Sequence, residues 1–399
     1  MENELLDNTI QDMEYVGDIP EGWKWVKLGE IADIKMGQSP ESKYYNDKGI
    51  GLPFLQGSKT FGYKYPEVEI YCSNPIKVAK KGEILISVRA PVGDINIASQ
   101  DICIGRGIAS INSLFNQNEF LFYYLKHSKN DLLASESGTV FGSINKETLY
   151  NFPILLPPLP EQKAIAEVLS SIDDKIELLH RQNKTLEEMA MTLFRQWFID
   201  ANFDGTICQI VNVQGGYAFK SKDFKLNGNH SVIKIKNITN SIVNINDTEF
   251  IDESVVENLD TRFKISSGDV LIAMTGAEIG KLGIVPKTNK NLWLNQRVGL
   301  LREKYDGARF IAYLHLKSEF GYDYIINAAS GSAQANISAS DIENCPFVQL
   351  SEDEIKAYSK TITPFFEKII FNLGQIQTLE KLRDTLLPKL MSGEIRVKI

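Results

Sequence analysis

The sequence predicts an α+β protein in which two mixed α/β domains are separated by two long helices packed as an antiparallel coiled coil. Three observations support this prediction. The second half of the chain repeats the first, each half ends in a heptad pattern, and the blocks between contain short apolar runs between Gly and Pro turns. A chain of 399 residues with 43% hydrophobic residues can form two or three domains with hydrophobic cores.

The repeat divides each half into a variable and a constant block. Residues 138–200 and 331–393 align without a gap, pairing Gly138 with Gly331, whereas the upstream regions align only with insertions and deletions. The sequence therefore has the form of a pseudo-two-fold repeat. Its predicted parts are an acidic tail (1–21), a first mixed domain (22–155), a first helical region (156–200), a second mixed domain (201–348) and a second helical region (349–399).

The constant blocks predict long helices. After the breaker PPLP, apolar residues recur in steps of four and three from Ile165 to Trp197, and the second copy continues the same register from Tyr358 to Leu390. Each seam would span roughly 50 Å. Because both helices belong to one chain, an antiparallel pair is the economical arrangement. The alternative is two core helices of one larger domain, against which the charged residues beside the seam, such as Asp173 and Glu188, argue.

Polar residues interrupt this seam. Asn183, Asn372 and Arg383 occupy seam positions and would fix the register at some cost in stability. Pro364 is incompatible with a regular helix interior, since proline removes a hydrogen bond and clashes one turn back. We expect a kink there, or a helix that starts at Pro364 with Thr363 as its N-cap.

The variable blocks predict short strands and one helix cluster each. KKGEILISV (80–88) and SSGDVLIAM (266–274) are turns that lead into strands, and VIKIKNITNSIVNI (232–245) alternates as a half-buried strand does. FLFYYLKH (120–127) and FIAYLHLK (310–317) predict helices. Short strands with one helix cluster are typical of a scaffold whose loops bind a partner, rather than of an enzyme core.

Composition excludes several classes of protein. Four scattered cysteines without a C-x-x-C pair, and four scattered histidines, indicate neither a disulfide framework nor a metal site, so a reducing, cytoplasmic setting is expected. No apolar stretch of about 18 residues predicts a membrane span, and the acidic N-terminus does not resemble a signal peptide. The net charge of -8 argues at first against nucleic acid. Seven carboxylates lie within residues 1–21, however, and the first helix is acidic too, which leaves the mixed domains mildly basic.

Three short patterns resemble catalytic motifs only superficially. TGAEIGKLG (275–283) lacks the spacing of a phosphate-binding loop, and the Gly-Arg-Gly sequence at 105–107 indicates a tight turn. Asn-Phe-Pro-Ile and Asn-Cys-Pro-Phe, which begin at Asn151 and Asn344, partly match an amino methyltransferase loop. They occupy the same repeat position, however, which favours a structural turn. Because no nucleophile and base recur together in both halves, we predict a chain without catalytic residues.

Basic and aromatic residues recur instead in both variable blocks. Lys and Arg neutralise phosphates, and Arg, Gln and Asn read base edges, so such clusters favour a DNA-binding surface. For any single residue a solvated surface role remains the simpler interpretation. The candidate DNA-binding residues are Lys43, Tyr44, Tyr45, Lys59, Tyr63, Lys64, Arg89, Arg106, Lys220, Lys222, Lys234, Lys236, Arg262, Lys281 and Arg297.

Several motifs resemble the specificity subunits of type I restriction-modification systems. They are GQSPESKYY (37–45) and GYAFKSKDF (216–224), PPLPEQ (157–162) before the first helix, LFRQWFIDANF (193–203) and LLPKLMSGEI (386–395). The resemblance extends from about Trp23 to Ile395. The second copy departs from it, because VQLSEDE (348–354) replaces the proline-rich start of the first helix.

The resemblance implies a sequence-specific DNA-binding protein with two target recognition domains. Each domain would read one half of a bipartite target, and the coiled coil would set the unread spacer. The partners would be double-stranded DNA, two modification (methyltransferase) subunits and restriction (motor nuclease) subunits. S-adenosylmethionine, ATP and magnesium would then act in those partners, and this chain would need no cofactor.

Two alternatives remain open from the sequence. One is the specificity partner of a methylation-only or type IIB-like assembly, since the difference lies in other subunits. The other is a coiled-coil scaffold whose duplicated domains bind protein. A bipartite DNA footprint separates the scaffold from the DNA-reading proteins.

Overall fold

Both halves of the chain fold as short strands and small helices followed by one helix of 40 residues. The computed structural model describes residues 19–134, 143–199, 201–329 and 335–398. Most of the predicted acidic tail, at 1–18, and the pair Gly138 and Gly331 lie outside the described residues. The predicted α+β class with two mixed domains and two long helices is confirmed.

The elements of the first half are, in chain order, β1 (Lys24–Lys27), α1 (Leu28–Ile31), β2 (Ala32–Met36), β3 (Tyr45–Asn46), β4 (Leu52–Leu55), β5 (Tyr71–Cys72), β6 (Val78–Ala79), β7 (Ile84–Ser87), β8 (Ile95–Ile97), β9 (Ile102–Ile104), β10 (Ile108–Ser113), α2 (Asn118–His127), α3 (Lys129–Ala134), α4 (Lys146–Asn151), β11 (Pro153–Leu156) and α5 (Leu159–Phe198). Those of the second half are β12 (Gly205–Thr206), β13 (Val211–Gly215), β14 (Phe224–Lys225), β15 (His230–Ile233), β16 (Ile238–Thr239), β17 (Ser241–Val243), β18 (Glu249–Ile251), α6 (Glu253–Val256), β19 (Lys264–Ile265), β20 (Val270–Ala273), β21 (Leu282–Ile284), β22 (Asn291–Leu294), β23 (Val298–Glu303), α7 (Ala308–Lys317), α8 (Glu319–Ala329), α9 (Ala339–Glu343), β24 (Pro346–Phe347) and α10 (Glu352–Met391).

The sheets of the two halves have matching strand orders. The first half contains an antiparallel sheet β2-β10-β7-β8 and a mixed sheet β3-β5-β4-β9-β6. The second half contains β13-β23-β20-β21, extended by β17 and β16, and a mixed sheet β14-β18-β15-β22-β19. Each mixed sheet has one parallel pair, β4 with β9 and β15 with β22. The duplication read from the sequence is therefore a duplication of topology.

The predicted turns into strands are confirmed by backbone conformation. Gly82 and Gly268 precede β7 and β20 with φ angles of 86° and 82°, in the left-handed region that glycine adopts without strain. The stretch 232–245, predicted as one half-buried strand, instead forms three short strands. Asn240 and Ser241 have φ angles of 50° and 65°, and this left-handed backbone ends the strand.

The long helices contribute to two compact units. Unit 1 consists of the described residues within Met1–Glu177 and Leu379–Ile399, and unit 2 consists of those within Leu178–Thr378. Each unit thus combines one mixed domain with a segment of α5 and a segment of α10. The domain limits predicted from the sequence stay predictions.

Within each unit the two helices run antiparallel. In unit 2 the indole of Trp197 stacks on the ring of Tyr358 with centroids 4.5 Å apart, and Asn372 Nδ2 donates to Asn183 Oδ1 at 2.9 Å. In unit 1 Arg383 Nη1 donates to Asp173 Oδ1 at 3.1 Å. The polar seam residues predicted from the heptad pattern therefore do face the partner helix.

The buried stripe of each helix is wider than the predicted seam. Phe366 and Leu373 are buried beside the seam of α10, and Phe366 stacks on Phe310 of α7 with ring centroids 4.4 Å apart. In unit 1, Ile165 and Leu387 belong to one core with the sheet and with α2. The helices pair with each other and also complete the core of the mixed domains, a second contact that the heptad pattern does not predict.

Helix α10 does not begin at Pro364. It begins at Glu352, where Ser351 and Glu354 form a capping box: Glu354 N donates to Ser351 Oγ at 3.3 Å, and Ser351 N donates to Glu354 Oε2 at 2.8 Å. The predicted cap, Thr363, lies inside the helix and donates its hydroxyl to the Ser359 carbonyl at 2.7 Å. The expectation of a helix start at Pro364 is therefore wrong, and a kink there stays a prediction.

The pair Asn183 and Asn372 yields a stability prediction. Asn183 Nδ2 and Asn372 Oδ1 are buried without a hydrogen-bond partner among the described residues. Replacing both asparagines with leucine should raise the free energy of unfolding by about 1–3 kcal/mol, because two unsatisfied polar atoms are removed. Urea denaturation measures the change. Asn183→Leu alone should destabilise instead, since it leaves the buried Asn372 amide unpaired, and a destabilised double variant would contradict the prediction.

Unit 1 is closed by a contact between residues far apart in sequence. Glu161, near the start of α5, accepts hydrogen bonds from Trp23 Nε1 at 3.1 Å and from Arg396 Nη2 at 2.7 Å. The guanidinium of Arg396, and next the indole of Trp23, hold the pKa of the Glu161 carboxyl below its usual value, although burial opposes them. This carboxylate joins both ends of the described chain to the first long helix.

Candidate nucleic-acid interface

In unit 1 the loops that follow four strands converge at one edge of the sheets. Gly37 N and Gln38 N, after β2, donate to the carbonyls of Ile108 and Ile104 at 2.9 and 3.0 Å. Gly105 N donates to the Leu55 carbonyl at the end of β4 at 2.8 Å. We call this surface loop edge 1 and define it by residues 37–41, 56–60, 88–92 and 105–107.

Unit 2 repeats most of these backbone hydrogen bonds. Tyr217 N donates to the Leu294 carbonyl at 2.8 Å, and Met274 N donates to the Arg297 carbonyl at 3.0 Å, as Val88 N does to Gly107 at 2.9 Å in unit 1. Loop edge 2 is defined by residues 216–220, 234–237, 274–276 and 295–297. Because sheet topology is duplicated, the chain presents two equivalent loop clusters built on rigid strands.

The Gly-Arg-Gly turn of loop edge 1 depends on close backbone packing. A Cβ atom at Gly107 would lie 2.4 Å from the Gln56 carbonyl oxygen, and one at Gly105 would lie 2.7 Å from Gln56 Oε1. A side chain at Gly107 would clash with the backbone, and one at Gly105 would displace the Gln56 side chain. Arg106 between them is exposed while its neighbours are buried, so the turn projects one guanidinium from a fixed backbone.

Five of the candidate cations are exposed and form no ion pair with any residue that the structure describes. An unpaired surface cation is free to neutralise a phosphate. Four of them lie in the two loop edges and the fifth, Lys222, two residues beyond; the five are Arg89, Arg106, Lys220, Lys222 and Arg297.

Most other candidate cations form exposed ion pairs with nearby carboxylates. Such pairs contribute little to stability and exchange readily with other partners. Lys281 pairs with Glu278, and the remaining pairs are Lys43 with Glu41 (2.7 Å), Lys59 with Glu69 (3.8 Å), Lys234 and Lys236 with Glu249 (2.5 and 3.3 Å), and Arg262 with Asp260 (3.4 Å).

The candidate tyrosines next to loop edge 1 have structural contacts. The Tyr45 hydroxyl donates to the Pro40 carbonyl at 2.8 Å, and its ring stacks on Phe54 at 4.5 Å. Tyr44 is half-buried, and the Lys43 ammonium lies 5.0 Å from its ring centroid. These tyrosines hold the loop that begins at Gly37.

Lys64 and Tyr63 face the long helices rather than solvent. Lys64 is 1% exposed, and its ammonium lies 2.6 Å from Asp174 Oδ1. The Tyr63 hydroxyl donates to Asp173 Oδ1 at 2.6 Å and accepts from Arg383, and burial together with Asp173 raises the pKa of that hydroxyl. Lys64 is buried and Tyr63 is half-buried, and both residues attach the mixed domain to α5; their role in DNA binding stays a prediction.

Sequence reasoning missed the uncharged polar residues of the loop edges. Ser39 Oγ donates to Gln56 Oε1 at 3.0 Å and accepts from Arg106 N at 3.2 Å. Gln296 is exposed at the position equivalent to Arg106 in unit 2. Ser39 could have been identified as a candidate from the sequence, because it belongs to the GQSPESKYY motif. Hydrogen-bonding side chains of this kind can read base edges.

The described residues contain no cluster of three or more His, Cys, Asp or Glu side chains that could hold a metal ion. His315 and Cys345 come close, with Nε2 3.6 Å from Sγ, but both are buried. Burial lowers the pKa of His315 to about 4 and raises that of Cys345 to about 12, so neither is charged near neutrality. No described helix has a stretch apolar enough to cross a bilayer.

The two mixed α/β domains have matching topology, and each presents an equivalent loop edge, so the structure is that of a duplicated protein. The family is shown by a match to the model of the type I restriction modification DNA specificity domain, at residues 20–188 and again at 204–381. The chain belongs to this family. The resemblance read from the sequence motifs is confirmed, and the second match shows that the departure at 348–354 does not remove the second half from it.

Individual relatives are also named as specificity subunits of type I restriction enzymes. The type I restriction enzyme MjaIX specificity subunit of Methanocaldococcus jannaschii is 28% identical over 426 residues, covering 96% of each chain. The putative MjaX specificity subunit of that organism is 48% identical over 177 residues, but the match spans 43% of this chain and 42% of that protein. The crystal structure of the S subunit from M. genitalium matches 95% of this chain and 98% of its own, with 18% identity and a TM-score of 0.59, which supports the fold.

Proposed function

We propose that this chain is the sequence-specific DNA-binding subunit of a cytoplasmic type I restriction-modification complex. Each mixed domain reads one half of a bipartite target. The paired helices set the length of the unread spacer. The chain performs no chemistry itself and directs adenine methylation and DNA cleavage by partner subunits.

The observation that carries this proposal is the pair of equivalent loop edges. Each offers exposed cations without an ion-pair partner among the described residues, for phosphate contact, beside hydrogen-bonding side chains that suit base edges. The difference between Arg106 in loop edge 1 and Gln296 in loop edge 2 fits an asymmetric target. Arginine favours guanine and glutamine favours adenine in the major groove.

The long helices support the spacer function. A helix of 40 residues is about 60 Å long, which exceeds one turn of B-DNA, about 34–36 Å. Linking two reading domains makes the second contact intramolecular, and affinity then rises only for targets whose half-sites fit the distance. A flexible linker would accept many spacers, whereas paired helices accept few.

The partners in this proposal are double-stranded DNA, two modification subunits and restriction subunits. Those subunits, rather than this chain, use S-adenosylmethionine, ATP and magnesium. A methylation-only or type IIB-like assembly would use the same chain with different partners. The cleavage pattern of the complete complex distinguishes these assemblies.

Mapping of methylated adenines in the host, followed by footprinting, tests the function. The chain is purified with its modification subunits and bound to DNA that carries the mapped target. We expect two protected half-sites, with the cations of one loop edge required for each. Protection that does not depend on either half-site sequence, or none at all, would refute the DNA-reading function and favour a protein-binding scaffold.

The exposed arginines predict the salt dependence of this binding. Arg89→Ala and Arg297→Ala should each weaken binding and lower the slope of log K against log salt by about one, because each removes one phosphate contact. Fluorescence anisotropy over a range of salt concentrations gives the slope. The matched control is Lys24→Ala, on the exposed edge of the two-stranded sheet, which should leave the slope unchanged.

A further inference from the structure

Two carboxylates of helix α5 attach the mixed domains to it, one in each unit. In unit 1 the carboxylate is Asp173, whose side chain is 1% exposed. It accepts hydrogen bonds from the hydroxyls of Tyr63 at 2.6 Å and Tyr123 at 3.0 Å, and from Arg383 at 3.1 Å. Lys126 lies 3.8 Å away. A charge this deeply buried persists only with such partners.

In unit 2 the carboxylate is Glu187. It accepts hydrogen bonds from the Tyr313 hydroxyl and from Lys317 Nζ, the latter at 2.5 Å. Lys317 also donates to Ser241 Oγ at 2.8 Å. The buried Tyr313 hydroxyl on α7 therefore contacts a carboxylate of α5, as the Tyr123 hydroxyl on α2 does in unit 1.

The tyrosines are equivalent in the repeat, but the carboxylates are not. Tyr123 on α2 and Tyr313 on α7 occupy the same place in the duplicated fold, and both are fully buried. The repeat position of Asp173 in α10 is occupied by Phe366, which stacks on Phe310. The second mixed domain is therefore bound by a carboxylate on α5 and not by one on α10, the helix that follows this domain in the chain. Asp173 and Glu187 are two heptads apart, so they share one heptad position of the same helix.

We propose that Asp173 and Glu187 are positioning residues that hold loop edges 1 and 2 in a fixed orientation on α5, each through its tyrosine. This inference rests on the proposed function. Helix α2 shares one core with the sheet whose strand ends form loop edge 1, since Phe120 packs in the cluster that contains Ile86 and Ile111. A hydrogen bond at Tyr123 therefore orients the whole reading surface. Its direction matters more than its strength, because a hydrogen bond weakens steeply when bent.

The test removes one hydroxyl at a time from the full-length chain in complex with its modification subunits. Tyr123→Phe and Tyr313→Phe keep the ring and lose only the hydrogen bond. Matched controls are Tyr150→Phe and Tyr322→Phe, at positions 44% and 47% exposed. Affinity is measured for duplexes with the native spacer and with spacers one or two base pairs shorter or longer.

We expect the preference for the native spacer to fall roughly fivefold in each buried-tyrosine variant, because a loosened domain reaches half-sites at neighbouring distances. Both controls should keep the wild-type preference. An equal loss of affinity for all spacers would indicate a merely structural role and overturn the proposal. So would an unchanged preference.

Hydrogen exchange of the same variants separates this proposal from the proposed function. Tyr123→Phe should accelerate exchange in the loop at 60–65 and leave the loop at 239–242 unchanged, and Tyr313→Phe should do the reverse. Equal exchange in wild type and variants would overturn the positioning role. If the wild-type complex shows no bipartite preference while exchange changes as expected, the DNA-reading function fails and the attachment to α5 stands.

Discussion

Replacing Asp173 with alanine is expected to lower the free energy of unfolding by about 3–5 kcal/mol, because it removes the buried carboxylate that pairs with Arg383 and leaves this guanidinium with Asp384 alone. The Arg383 side chain is 10% exposed and the Lys126 side chain is 30% exposed. The hydroxyls of Tyr63 and Tyr123 also lose their acceptor. Urea denaturation followed by circular dichroism gives the change in stability.

A second substitution and a surface control sharpen this prediction. Asp173→Ala combined with Arg383→Ala should recover part of the loss, since the guanidinium that has lost its buried partner is removed as well. Glu188→Ala removes a carboxylate from the exposed face of the same helix and should change stability by less than about 0.5 kcal/mol. Similar losses for Asp173→Ala and Glu188→Ala would show that burial of Asp173 has no energetic consequence.

Insertion of one heptad into both helices is expected to lengthen the accepted spacer by about three base pairs. Seven helical residues add about 10 Å, and a turn of B-DNA of about 34–36 Å contains 10–10.5 base pairs. The insertion points follow from the contact between Asn183 and Asn372, at 2.9 Å. One heptad enters α5 directly after Asn183 and another enters α10 directly before Asn372. Mapping of methylated adenines in cells that carry the variant reads the spacer.

Insertions of another length serve as controls. Two residues in each helix rotate the apolar stripe by about 200° and should abolish DNA modification through loss of pairing. A heptad in α5 alone should do the same, because α10 offers no matching length. A functional heptad variant that still modifies the original spacer would refute the proposal that the helices set the distance.

The long helices could be predicted because their signal is periodic and local. Heptad spacing from Ile165 to Trp197, and the breaker before it, are sufficient to predict α5. The width of the buried stripe could not be predicted, since Phe366 is buried by Phe310, which lies on α7. A heptad pattern describes contact between two helices and contains no information about a sheet or helix packed on their flank.

The exposure of the candidate site residues could be predicted only where the local sequence determines it. Arg106 lies in a glycine turn, and its exposure follows from the close backbone packing of Gly107 against Gln56. Lys64 was predicted from a similar local pattern, a basic residue among aromatic residues near Gly-Ser turns. Its partner Asp174 lies on α5, 110 residues further along the chain. Asp173 was read as part of a solvated face for the same reason, whereas the structure buries it under Tyr63 and Tyr123.

The division of the helices between units determines the order in which the chain can fold during synthesis. Unit 2, Leu178–Thr378, is continuous in sequence and has all its residues before the final turns of α10 are made. Unit 1 lacks Arg383, Leu387 and Arg396 until translation reaches them, and Glu161 then still lacks its cation. Chains truncated after Thr378 would carry all of unit 2 and an incomplete unit 1. Such fragments would resist protease in 201–329 while 19–134 stays sensitive.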